Sequence, residues 1–473
     1  MNNFETIIGI EIHLELNTKT KMFSPSKIDF EADANTTVNQ IDLGYPGTLP
    51  LLNKEAVISG VKLAKALSMT IDNELHFDRK NYFYPDLPKG YQITQFYRPI
   101  GSNGRFVINT ESGRKKINIE RIHLEEDTAR QYHGEKTKLD YNRAGVPLIE
   151  IVSYPEISSA DEAVAYVDMI RRIALSLGIS SAKMEQGSLR ADVNISLRPK
   201  GYKGFGTKVE IKNMNSFRAI RNAIDYEIKL HTQKILTNEP ILQQTKRYDE
   251  ESMSTVVMRT KTGTIDYKYF PEPNIPFIKL SDEFINNVKL NELPWEKEER
   301  YKNEGIQDIY IKSLINDIEL ANYFDSINYF DRSKLSKLFF AEVVSLANSK
   351  NVKAYELGLK PQALESAIGL LDDEVISGKS FKKLVPLLIN YDGDLNKLIK
   401  ENNLEQISDE QKITKWIDDV IEKNGTLVAE YTERSEKVIK FVLGNVMMLS
   451  GGKVNPQKAN DLLMKLLNKK FKQ

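Results

Sequence analysis

The run Ile8-Gly9-Ile10-Glu11-Ile12-His13-Leu14-Glu15-Leu16 alternates without a break. Its even-numbered positions are apolar, and Glu11, His13 and Glu15 stand among the odd ones. A period of two belongs to a strand with one buried face. The three polar side chains therefore share the other face, about 7 Å apart at each step. Carboxylate, imidazole, carboxylate on one rigid face suits a divalent cation such as magnesium, manganese or zinc. An ordinary solvated strand face would show the same alternation.

The same period recurs further along. Arg190, Asp192, Asn194, Ser196 and Arg198 alternate with Ala191, Val193, Ile195 and Leu197, and Lys208, Glu210 and Lys212 alternate with Val209 and Ile211. Asn118 to Glu126 reads as a strand ending in His123-Leu124-Glu125-Glu126-Asp127. Leu148 to Val152 is a short β-rich run in which Glu150 interrupts apolar neighbours. A charge there is costly unless paired or metal-bound, or unless an edge strand turns it to water. Several strands facing one way with acids, bases and amides can line a polar site that joins metal-binding carboxylates to phosphate-binding Lys and Arg, the pairing that nucleotide chemistry uses.

Helices are expected between the strands. One spans Asn53 to Met69 with Asn53 as N-cap; another follows a Ser159/Glu162 capping box and closes at Gly178; a third runs from Ser216 to Leu236. Pro271, Pro273 and Pro276 break the pattern, and beyond about residue 290 helical spacing dominates. A second interruption falls near 405, at Asn402-Asn403 and Ser408-Asp409. The expected fold class is α+β, with an α+β domain over 1–290, an all-α domain over 291–405 and a small all-α tail over 406–473. In the tail, Asn455-Pro456 opens a helix whose Ala459, Leu462, Leu463, Leu466 and Leu467 share a face. From residue 453 it holds Lys453, Lys458, Lys465, Lys469, Lys470 and Lys472 against Asp461.

Composition narrows the classes. A chain of 473 residues exceeds one ordinary domain. With 41% hydrophobic and 28% charged residues it can bury sizeable cores. Mean hydropathy is −0.42, and no uncharged apolar run approaches the roughly 18–20 residues of a membrane span. Met1-Asn2-Asn3-Phe4-Glu5 has no basic n-region, so neither secretion nor a membrane is expected, and the compartment is expected to be cytoplasmic. Zero cysteines remove disulfides, thiolate catalysis and thiol-ligated zinc. Lys+Arg and Asp+Glu are both 66, so any nucleic-acid affinity must come from local patches. Gly201 to Lys208 looks like a phosphate loop but ends Gly206-Thr207-Lys208, the wrong order, and reads as a turn between strands. Asp78 to Asp86 interleaves Tyr82, Phe83 and Tyr84 with charges. Such a segment stacks bases or plugs a loop beside the core.

The ordered motifs resemble a known family. Ile8 to Leu16, Leu43 to Pro50, Asp78 to Asp86, Tyr91 to Gln95, His123 to Asp127, Asn142 to Val152, Met184 to Arg190, Glu210 to Ser216 and Tyr269 to Pro273 are similar to the B subunits of tRNA-dependent aspartyl/glutamyl amidotransferases. The resemblance implies a cradle-shaped catalytic domain, a helical domain and a helical tail that reaches tRNA. It implies a heterotrimer with a glutaminase A subunit and a small C subunit. In that family ATP phosphorylates the side-chain carboxylate of misacylated Glu-tRNA(Gln) or Asp-tRNA(Asn), and ammonia from the A subunit displaces phosphate. Carried over by position, Glu11, His13, Glu126 and Glu150 are expected to hold Mg²⁺, for which Mn²⁺ substitutes. Lys80 and Glu210 join them as catalytic candidates. Lys80, Arg190, Asp192 and Lys208 are the candidates for ATP phosphates. Lys453, Lys458, Lys465, Lys469 and Lys470 are those for tRNA.

One departure stands out. Many relatives place two short pairs of zinc-binding cysteines around the second motif; the corresponding positions here are Ser24, Ser26, Asn39 and Asp42. No structural zinc is expected, and the loop must be held by other contacts or be mobile. The leading reading is an ATP-dependent amidotransferase subunit. The alternative is a non-catalytic tRNA-binding or assembly subunit with structural acids. A free-standing glutaminase is disfavoured by the absence of cysteine and of a glycine/serine-rich amidase signature.

Overall fold

β1 (Phe4–Glu15) runs through the middle of a nine-stranded sheet in a computed structural model that describes residues 3–260 and 266–471. The other strands are β2 (Thr70–Ile71), β5 (Gly101–Thr110), β6 (Gly113–Glu126), β7 (Pro147–Ser153), β8 (Leu189–Pro199), β9 (Val209–Met214), β10 (Gln244–Asp249) and β11 (Ser254–Thr260). Between β2 and β5 in sequence lie β3 (Asp78–Asn81) and β4 (Tyr91–Thr94), which with β12 (Phe270–Pro271) make a separate three-stranded sheet in the order β12-β3-β4. The large sheet has the order β11-β10-β9-β8-β1-β7-β6-β5-β2. Its pairs are antiparallel except β9 with β10, which are joined by a helical crossover.

Helices α1 (Lys54–Ala66), α2 (Ala160–Ser176) and α3 (Phe217–Leu236) contribute their buried faces to the same apolar core as Ile8, Ile10, Ile12 and Leu14 of β1. Each starts where its cap predicts. Asn53 accepts from the amides of Glu55 and Ala56, Ser159 from that of Glu162, and Ser216 from that of Ala219. The capping box at α2 is only half formed. Glu162 turns its carboxylate to the amide of Ser158 and to Lys115, not to Ser159. Gly178, at φ +67°, closes α2 as expected. The first helix stops at Ala66, short of Met69.

The backbone divides into two compact units between Lys297 and Glu298. The first is mixed sheet and helix and the second is helical, so the chain is α+β. Within the second unit two apolar clusters form. One is built from residues between Tyr301 and Leu404. The other draws on α4 (Glu410–Lys423), α5 (Ser435–Leu449) and α6 (Pro456–Phe471). Asn455 accepts from the amide of Lys458 at the start of α6, and Ala459, Leu463 and Leu467 are buried along it. Lys458, Lys465, Lys469 and Lys470 are exposed and Lys453 half-buried; Lys472 lies outside the described residues. Among the described residues no helix is long and apolar enough to cross a membrane.

Candidate metal and phosphate site

Antiparallel register carries one row of side chains across four strands. Arg190 of β8 pairs with His13 of β1, His13 with Glu150 of β7, and Glu150 with His123 of β6. One step along, Glu11 pairs with Asp192. One step the other way, Glu15 and Glu125 flank Leu148. Opposed residues in a ladder point to the same face, so the polar positions of β1 gather partners from both sides.

His13 Nε2 lies 3.5 Å from Glu150, 3.6 Å from Glu125 and 3.8 Å from Glu11. His123 Nε2 lies 3.1 Å from Glu150 and 3.7 Å from Glu125. Ligand atoms fall into two sets of three, Glu11/His13/Glu150 and His123/Glu125/Glu150, each within 4.8 Å of one another. Burial opposes the charge on both imidazoles, yet the surrounding carboxylates more than offset it. The pKa of His13 is raised to about 9 and that of His123 to about 10. Glu150 is also penalised by burial, but the two imidazoles hold it well below the usual carboxylate range. Burial and Glu150 push Glu11 up.

Lys80 of β3 stands beside this cluster. Its ammonium is 5.0 Å from the Tyr267 ring and 5.9 Å from that of Tyr82. Burial works against its charge, while Glu125, Tyr269 and Glu150 keep its pKa above the ordinary lysine value. The Asp78 to Asp86 segment divides its aromatics, with Tyr82 packed on Tyr267 while Phe83 and Tyr84 are exposed. On one flank Arg190 donates to Asp127 at 2.7 Å, and burial with Asp127 nearby raises Glu15 to about 7. On the other flank Lys212 meets Asp192 at 2.5 Å and Glu210 at 3.2 Å. Thr245 also donates to Glu210.

Of the residues expected from sequence, Glu11, His13, Glu150, Lys80, Arg190, Asp192 and Glu210 sit in or beside this region. Glu126 does not join the others. Its carboxylate accepts from Lys89 Nζ at 2.5 Å and from the amide of Ile93 at 3.0 Å. Strand alternation is the reason: Ile122 and Leu124 are core residues, and Glu126 shares their parity, whereas His123 and Glu125 share that of the polar face. Lys208 also lies apart, exposed just before β9 and about 13 Å along the strand from Lys212. Lys212 is the lysine whose charge reaches Glu11. His123, Glu125 and Lys212 thus join the cluster without having been expected from sequence; the parity of Ile122 and Leu124 marks the first two, whereas Ile117 and Ile119, beyond a register shift, carry the other parity.

The donor set fits a divalent cation. Its carboxylate oxygens and imidazole nitrogens are ligand types that such ions take, and each set of three lies within 4.8 Å. Among the described residues, His123 Nδ1 and Arg190 Nε are two of several buried side-chain atoms without a hydrogen-bond partner, and His123 faces the carboxylates with its other ring nitrogen.

The loop around the second motif is held. Ser24 and Ser26 donate to the two oxygens of Asp42 at 2.5 and 2.6 Å, and Lys21 donates at 3.2 Å. The amide of Asn39 donates at 3.0 Å, and the Asn39 side chain accepts from Ile41 and Asp42.

A nine-stranded sheet bearing this carboxylate–imidazole face defines a class. Residues 6–286 match the GatB/GatE catalytic domain and residues 322–467 the GatB domain. The chain is 84% identical over 472 residues to the B subunit of the aspartyl/glutamyl-tRNA(Asn/Gln) amidotransferase of Mycoplasmopsis agalactiae, covering all of both chains. It is 61% identical over 473 residues to the B subunit of Mycoplasmopsis synoviae, again covering all of both. Identity to that of Oceanobacillus iheyensis is 42% over 473 residues, 98% of this chain and 99% of the relative. The chain therefore belongs to the family of aspartyl/glutamyl-tRNA(Asn/Gln) amidotransferase B subunits, ligase-type amidotransferases of tRNA-dependent translation.

Proposed function

We propose that the first unit is the catalytic domain of an ATP-dependent amidotransferase acting on Glu-tRNA(Gln), Asp-tRNA(Asn) or both. The observation that carries this is the convergence of Glu11, His13, His123, Glu125 and Glu150 beside Lys80. These five residues would hold Mg²⁺ or Mn²⁺, which when bound supplies charge neutralisation for ATP phosphates. Lys80 offers a cation to a transferring phosphoryl group or to the substrate carboxylate. Arg190 and Lys212 flank the cluster and set the sign of the field on either side. A carboxylate is a poor acyl donor, and its acyl phosphate is a good one, so the domain activates the misacylated side chain for attack by ammonia. With no cysteine in the chain, ammonia comes from a glutaminase subunit, in a heterotrimer completed by a small third subunit. Residues 291–405 form a helical domain and 406–473 a tail whose Lys458, Lys465, Lys469 and Lys470 meet tRNA phosphates. The whole works in the cytoplasm, where charged tRNA is used.

Manganese anomalous scattering from a soaked crystal tests the site. A peak within ligand distance of Glu150 and both histidines is expected, and its absence at saturating Mn²⁺ removes the metal from the reading. Co-purification with a glutaminase subunit, followed by amidation of both misacylated tRNAs, tests the reaction. An assembled complex that amidates neither leaves the non-catalytic alternative.

A further inference from the structure

Lys21 is fully buried and Asp42 nearly so, and a buried ion pair is retained only where further hydrogen bonds complete it. Here they do. The Asp42 carboxylate takes four donors, from Ser24, Ser26, Lys21 and the amide of Asn39. Lys21 also donates to the carbonyl of Tyr141 at 3.3 Å. Gly145 lies against the pair; at φ +85° it favours glycine, and a Cβ there would sit 3.2 Å from Asp42 Oδ1 and 3.3 Å from Lys21 Cδ.

The pair leads into the cluster through backbone hydrogen bonds. The amide of Met22 donates to Gly145 O, that of Gly145 to Asp127 O, and that of Asp127 to Val146 O. Those bonds tie the end of β6, which carries His123 and Glu125, to the start of β7, which carries Glu150.

We infer that Asp42 and Lys21 are positioning residues, an ion-pair clasp that sets the spacing of His123, Glu125 and Glu150 without touching them. The inference rests on the metal reading above. Groups bonded directly to ligands are worth roughly 10–100-fold in metal affinity, and the clasp acts one step further out, so the low end bounds its effect. Asp42→Asn leaves the buried Lys21 without its counter-charge and should weaken Mn²⁺ binding to the full-length chain, read by electron paramagnetic resonance, by about tenfold. Lys21→Met/Asp42→Asn removes both charges and should recover most of that loss, which a simple loss of fold would not do. Amide exchange should rise at 123–127 and 146–150 in the single variant and return in the double. Folded Asp42→Asn with unchanged Mn²⁺ affinity overturns the inference. If the wild-type chain takes up no Mn²⁺, the metal reading fails on its own. Exchange then decides the clasp, and unchanged protection of those two segments overturns it. If Asp42→Asn does not fold, Ser24→Ala/Ser26→Ala removes two neutral donors and faces the same two readouts.

Discussion

The carboxylate of Asp42 receives four hydrogen bonds at 2.5–3.2 Å. That of Glu150, comparably buried, faces two imidazoles at 3.1 and 3.5 Å. Both sit in the same unit, and strands β6 and β7 connect them. The difference is saturation. Around Asp42 one oxygen takes a donor from Ser24 and the other takes three, from Lys21, Ser26 and the amide of Asn39, so the loop itself meets the charge. Around Glu150 the neighbours are other titratable groups, two imidazoles with the carboxylates of Glu11 and Glu125 beyond them. Buried polar groups are costly when partly satisfied, and on the metal reading proposed above a cation would complete the second arrangement.

The largest expected effect breaks the unsaturated member. Glu150→Gln keeps the shape and removes a charge shared by both ligand sets. ATP-dependent activation of the aminoacyl carboxylate should fall by about 10³-fold or more, while glutaminase activity in the assembled partner persists. Simultaneous loss of both activities in an intact complex would count against separate half-reactions.

Next in size is the pair Glu125 and Glu126, adjacent in sequence and separated by strand parity. Glu125→Gln should lower Mn²⁺ affinity by about 10–100-fold. Glu126→Gln should leave it within about threefold and instead cost stability, about 1–3 kcal/mol, because Lys89 loses a buried charged acceptor. Equal metal affinities in the two variants, measured by the same titration, would erase the parity argument.

That parity also marks how much of the molecule is legible in the sequence. The alternation in β1, β8 and β9, the caps of α1, α2 and α3, and the helical texture after 290 are local patterns, and the folded chain follows them closely. Glu11, His13 and Glu150 stand out because each breaks or decorates an apolar run. His123 and Glu125 escape notice because the motif His123 to Asp127 reads as a block; counting from the core residues Ile122 and Leu124 picks them out. The clasp is not legible. Ser24, Ser26 and Asp42 stand out in sequence only as positions without cysteine, and their convergence with Lys21 shows once the loop closes. Lys212 displaces Lys208 because distance along a strand from the central row, not residue type, decides which cation reaches the site.

Protonation offers a subtler contrast. His13 and His123 titrate near 9 and 10 in the folded chain, above about 6.5 when unfolded. A raised pKa adds stability that is complete below the unfolded value and is lost as pH climbs through the folded one. The metal-free protein should therefore melt at progressively lower temperature from about pH 7 to pH 10. A cation must displace the same protons, so Mn²⁺ affinity should rise over that interval. A flat affinity profile from pH 7 to 9 would mean that the imidazole protons are not displaced, and so that the imidazoles are not ligands.

The smallest expected effect lies in the second unit, where these lysines are all exposed. Lys458, Lys465, Lys469 and Lys470 project from α6, whose Ala459, Leu463 and Leu467 are committed to the apolar cluster shared with α4 and α5. The lysines are thus displayed by a packed helix, and their removal should not unfold it. Lysines in the last turn also complement the helix dipole, a role that Lys469 and Lys470 can fill without any partner. Tested in the assembled enzyme, replacement of all four by alanine separates the two roles. Each phosphate contact contributes a slope of roughly 0.7–0.9 in log K against log salt. Loss of several contacts should raise the KM for aminoacyl-tRNA by several-fold at low salt and flatten its salt dependence by about two to three units of slope. The KM for ATP should stay as it was, because Lys80, Arg190 and Lys212 belong to the other unit. A lowered melting temperature with an unchanged salt slope would assign these lysines to the helix end alone.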